Sequence, residues 1–92
     1  MTEDDKALAE VVVVGRAAED FFGSRVGKYI VNKLESEIED GLQRLRGVDC
    51  NDARAIQDAQ NQVWRAESVL QWLGQAVEDG LRAEHILTVE RN

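Results

Sequence analysis

Seven apolar residues in the second half of the chain, Ile56, Ala59, Val63, Ala66, Leu70, Leu73 and Val77, recur on an alternating three-four spacing. On an α-helix that spacing keeps one edge apolar for about six turns, and a second helical surface has to cover it. A helix this long draws most of its stability from packing rather than from intrinsic propensity. The stripe therefore predicts an all-α protein before any other residue is considered.

The rest of the chain agrees. Its 92 residues include no proline and 43% hydrophobic residues, and a proline-free composition rich in Ala, Leu, Glu, Gln and Arg favours helix. The length predicts a single helical domain over 1–92, near the lower end of what buries a useful core unaided. A first helix is expected over about 3–22. Thr2 can cap it, and Glu3, Asp4 and Asp5 suit the positive end of the helix dipole. Ala7, Leu8, Val11, Val14, Gly15, Ala18, Phe21 and Phe22 fall on one face at 100° per residue. The valine run Val11 to Val14 would also suit a strand, but the 3.6-residue period and the flanking Ala and Glu select helix.

Gly23-Ser24 reads as a break or kink, with a continuous helix as the alternative. A second amphipathic helix follows over about 25–46, its stripe made by Val26, Ile30, Leu34, Ile38, Leu42 and Leu45. Gly27 and Gly41 share that buried sector, where each costs the helix about 1 kcal/mol and calls for a close approach in compensation. Gly47-Val48 reads as a C-cap, and Asp49 and Asp52 compete as N-cap of a third helix over about 52–79. Gly80 reads as its stop, with a tail, 81–92, that adds at most a short turn and then frays. A connection of a few residues makes the second and third helices antiparallel neighbours. The expected fold is this helical hairpin with the N-terminal helix packed across it, three-helix bundle-like and oligomeric.

Several function classes are disfavoured. A net charge of −7 opposes binding to phosphate backbones, so nucleic acid is a poor candidate ligand. No stretch approaches the roughly 20 apolar residues of a membrane span, and the acidic N-terminus is unlike a secretory signal. A cytoplasmic location in the producing cell is the simplest expectation. Cys50 is the only cysteine, which excludes an intramolecular disulfide and a cysteine-based zinc site. His85 has no nearby nucleophile in sequence. The cluster Glu35, Glu37, Glu39 and Asp40 resembles the spacing with which helical carboxylates hold magnesium, but no facing Glu-x-x-Glu completes a pocket. No phosphate-binding glycine loop or other cofactor motif is present. The chain reads as no enzyme, with no cofactor and no metal.

Trp64 and Trp72 are the residues that point outward. They lie roughly 140° to either side of the stripe of the third helix. Val69 and Ala76 connect Trp72 to that stripe, and Gln57, Asn61, Ser68, Gln71 and Gln75 between and around the tryptophans are polar but uncharged. Charge depletion around aromatic anchors is the composition of a contact surface. Trp64, Trp72, Val69, Ala76 and Gln71 are therefore candidate interface residues. The alternative is that the N-terminal helix covers one tryptophan and the tail the other.

The stretch Gln62-Val63-Trp64-Arg65-Ala66-Glu67-Ser68, continued by Trp72-Leu73 and by Val77 to Gly80, resembles short helical proteins encoded by tailed bacteriophages and prophages. Gly27-Lys28-Tyr29 and the Val48-Asp49 turn fit the same pattern, and the likeness covers about two-thirds of the chain. Cys50 stands where that pattern often has proline after the turn aspartate. The resemblance implies a phage accessory or assembly factor and supplies no catalytic residues. A non-enzymatic interaction protein is the first expectation, forming a homodimer or, second, a tetramer, with other phage or host proteins as further partners and virion association as a second location. The alternatives are an acidic inhibitor that mimics nucleic acid, or an antitoxin-like protein, each binding a basic partner.

Overall fold

One residue separates the first two helices. In the computed structural model, which describes residues 2–90, α1 spans Glu3–Gly23 and α2 spans Arg25–Gly47. Ser24 between them is extended, with φ −80° and ψ 160°. Its backbone N–H donates to the Phe21 carbonyl at 3.1 Å, its hydroxyl donates to the same carbonyl at 2.7 Å, and its Oγ accepts from the Gly27 N–H at 2.9 Å. One serine thus ends α1 and caps α2, satisfying backbone groups that both helix ends leave open. The chain folds back so tightly here that a Cβ on Gly27 would fall on the Phe21 carbonyl oxygen. The close approach expected at Gly27 is therefore to the last turn of α1.

The third helix, α3, spans Ala53–His85 and is followed by a π-helical turn, Ile86–Glu90. Its cap is Asp52, whose carboxylate accepts from the Ala55 N–H at 3.0 Å. Asp49 instead closes the connecting turn, accepting from the Asn51 N–H through its side chain and from the Asp52 N–H through its carbonyl. At 33 residues, α3 is about 50 Å long.

Gly80 is not a stop. The helix runs through it to His85, and the expected boundary at Asp79 and the tail beginning at 81 are corrected accordingly. Gly80 sits at the crossing with α1: a Cβ there would lie 2.8 Å from the Gly15 Cα, and one on Gly15 would lie 2.7 Å from the Gly80 Cα. Glycine on both sides lets two backbones touch, which outweighs its helix cost. The fraying expected at the end of the tail falls at 91–92, outside the described residues.

All the described regular structure is helical, and the three helices pack together around α3. α2 covers its N-terminal half, where Gly41 closes on Val63 and Ala59. α1 crosses the C-terminal half, where the same stretch of α1 borders α3 on both sides of Gly80. The inner surface is made of small residues: Ala18, Ala59, Ala66 and Ala83 are buried, as are Gly15, Gly27, Gly41 and Gly80. Among the described residues no large side chain is fully buried. Leu70, at the middle of the stripe, is only half-buried. The molecule is extended, 60 × 28 × 17 Å with a radius of gyration of 18.4 Å, against about 12 Å for a compact chain of this length.

Candidate interaction surface

The back of α3, turned away from its stripe, carries the two tryptophans. Trp64 is 65% exposed and Trp72 is 68% exposed, so neither α1 nor the tail covers them. Between them lies Ser68, four residues from each, the spacing at which side chains on one helix overlap. Its hydroxyl donates to the Trp64 carbonyl at 2.8 Å, and the residue is buried to 8% exposure although it sits opposite the stripe. Gln57, Asn61 and Gln75 extend this face in both directions and are all exposed. Within about 40° of Ser68 no charged residue falls on it between Arg54 and Asp79, and exposed Arg65 stands at its flank, about 60° from Ser68.

Trp72 also borders an open groove of about 380 Å³ whose other wall is α1. Ala7, Val11 and Val14 face Trp72 and Ala76 across it, with Glu10, Gln75 and Asp79 at the rim. Val11 and Val14 are exposed there. The candidate interface residues therefore divide. Trp72 and Ala76 share the groove, and Gln71 lies exposed beside Trp72. Val69 is placed elsewhere, half-buried against α2 in a cleft with Leu34, Gln62 and Ala66. Trp64 stands one helical turn before Ser68 with most of its ring in solvent.

Gln62 is a contact that the hydrophobic pattern did not signal. Lying between Ala59 and Ala66 on the α2 side, it is 9% exposed. Its amide nitrogen donates to the Glu37 carbonyl at 3.1 Å and to the Asp40 carboxylate at 2.7 Å, while its oxygen accepts from the Arg44 guanidinium. It pins α2 to α3 with every polar atom engaged, as a buried amide must be.

The residues with potential chemistry do not converge. Asp40 is held by Gln62, Glu39 accepts from Gln43 at 3.0 Å, and Glu35 and Glu37 are exposed. No group of three or more metal-binding side chains occurs among the described residues. His85 is exposed on the last turn of α3, and Cys50 is exposed in the α2–α3 turn. No helix among the described residues is long and apolar enough to cross a membrane.

Compared with protein-family models, curated proteins and solved structures, the chain matches none of them. The fold and the surface define it instead: a three-helix protein whose small residues face inward and whose tryptophans face out.

Proposed function

We propose that this chain is a non-enzymatic interaction protein that works as a homo-oligomer, a dimer first and a tetramer second, with the tryptophan face of α3 as its contact surface. The observation that carries this reading is the exposure of Trp64 and Trp72 on a face of α3 whose centre carries no charge between Arg54 and Asp79, while among the described residues only alanines, glycines, Gln62 and Ser68 are buried. Aromatic anchors in a charge-depleted setting are what protein interfaces use. The accessible surface, 6786 Å², exceeds by roughly 1,400 Å² the area that a compact monomer of this mass presents. That surplus is the size of one partner's share in an obligate homodimer.

The resemblance carried by the Trp64 and Trp72 region supports a role as a phage or prophage accessory or assembly factor. Such a protein would act in the cytoplasm of the producing cell or on the virion, and would meet other phage or host proteins.

Sedimentation at micromolar concentration tests the reading: a mass of twice the chain's 10.3 kDa is expected, and a monomer would overturn it. Trp72→Ala should then weaken association by roughly thirtyfold or more, as loss of an interface aromatic commonly does, with circular dichroism unchanged at concentrations that keep the dimer. A variant that keeps its mass and loses melting temperature would show instead that Trp72 serves only its own chain.

A further inference from the structure

We infer that the groove between α1 and α3 takes a helix from a basic partner protein, with the apolar edge of that helix against Val11, Val14 and Trp72 and its lysines or arginines against Glu10 and Asp79. This goes beyond the self-association proposed above and does not depend on it. The groove opens beyond Trp72 towards Ala76 and Asp79, whereas Ser68 and Trp64 precede that tryptophan on α3.

The shape of the groove fits a short length of helix. Its α1 wall runs from Ala7 to Val14 and its α3 wall from Trp72 to Asp79. Each wall is two helical turns, about 10 Å, long. A third helix laid along it sets two successive apolar side chains, three or four residues apart, between the walls, which is how amphipathic helices dock in apolar grooves. Val11, Val14 and Trp72 are all exposed in the single chain, and such a helix covers the three together.

Charge selects the partner. The charged side chains lining the groove are both carboxylates, Glu10 and Asp79, and the adjoining hollow that shares Trp72 and Gln75 adds Glu78. No lysine or arginine lines either one. Lys6, one turn before Glu10, lies 3.7 Å from Glu3, and Arg82, 3.6 Å from Asp79, borders the neighbouring cleft with Leu8 and Ile86. Cations on the two edges of a docked helix reach Glu10 on one wall and Asp79 on the other, with their aliphatic stems along the apolar floor. A cation over the Trp72 ring gains further attraction. At this acidic rim a second copy of net charge −7, a nucleic acid or an anionic membrane meets repulsion, and a basic helix is drawn in.

The test uses the full-length protein and a fluorescein-labelled amphipathic helix of leucine and lysine, about 18 residues long so that it is helical when docked. Fluorescence anisotropy should show saturable binding that weakens as salt rises, and a leucine–glutamate helix of the same pattern should not bind. Val14→Gln removes apolar surface from the α1 wall without a change of charge, and should weaken the leucine–lysine helix roughly tenfold. Glu10→Lys should weaken it about fivefold more than Glu35→Lys, an equal change of charge at an exposed position of α2. Equal losses at positions 10 and 35, unchanged affinity in Val14→Gln, binding of the leucine–glutamate helix, or no binding of the leucine–lysine helix would each overturn the inference. So would a shift of the free Val14→Gln protein toward monomer in sedimentation, which would give the groove to a second copy. A wild-type protein that sediments as a monomer and still binds as expected would overturn the self-association and leave this inference standing. Circular dichroism of each variant, matched to wild type, keeps the comparison to folded protein.

Discussion

Gly80→Ala measures how closely α1 and α3 touch, provided it is set beside Gly74→Ala on the same helix. Both replacements gain about 0.8–1.0 kcal/mol of helix propensity. A Cβ at Gly74 would meet nothing within 4 Å, whereas one at Gly80 would lie 2.8 Å from the Gly15 Cα and 3.3 Å from the Val11 carbonyl. Those neighbours are backbone, so α1 as a whole must move away, and overpacking of this kind costs about 1–3 kcal/mol. The difference between the two variants removes the propensity that they share. Gly74→Ala should raise stability by about 1 kcal/mol, and Gly80→Ala should fall below it by about 1–3 kcal/mol. At roughly 4–8 °C per kcal/mol for a domain of this size, thermal melts followed at 222 nm at one fixed protein concentration resolve the gap. Equal melting temperatures for the two variants would refute the glycine-to-glycine crossing.

Gln62→Ala should lower stability by about 1–3 kcal/mol, because it strips buried partners from the Glu37 carbonyl and from Asp40; urea melts measure it, and an unchanged midpoint would show that the clamp is dispensable. Arg16→Ala removes the 2.9 Å ion pair to Glu84 that links α1 to α3, yet the Arg16 side chain is well exposed and that of Glu84 partly so, so the loss should stay under about 1 kcal/mol. A larger loss would mean that charge, rather than the glycine contact, holds α1 in place.

The helices were legible because their signals are local. Thr2, Ser24 and Asp52 each sit where their side-chain oxygen caps the residues that follow, and the three-four stripe places Ala59 and Ala66 against α2. Gly80 was misleading for a physical reason. A glycine after an amphipathic run looks the same whether it ends the helix or admits another backbone, and the residue that decides, Gly15, lies far away in sequence. The stripe did contain a hint, since the next three-residue step from Val77 lands on Gly80, and Ala83 follows on the α1 side. Gln62 was hidden for a similar reason: a glutamine near an apolar stripe normally marks solvent, and only the approach of Glu37, Asp40 and Arg44 makes it a buried clamp. The three-four pattern puts the tryptophans off the seam, where they are exposed, and its angles make Val69 the bridge from Trp72 to the stripe; in the structure Val69 borders the cleft against α2.

An interior of alanine and glycine has an energetic consequence. Close backbone contact gains dispersion, but these side chains remove little apolar surface from water, and burial at about 25 cal/mol per Å² is the main term opposing chain entropy. The large apolar residues that would supply it, among them Val14, Trp64 and Trp72, remain open in the single chain. Covering them in a dimer would couple folding to association, so stability would depend on protein concentration. For a dimer of this chain, with an unfolding enthalpy of about 0.7 kcal/mol per residue, a hundredfold rise in concentration should raise the melting temperature by about 7 °C. Melts at 2 and 200 µM, roughly the span accessible to circular dichroism with short and long paths, test this without any mutation. The same melting temperature at both ends would show that the chain folds alone and that its exposed tryptophans contribute nothing to stability through association.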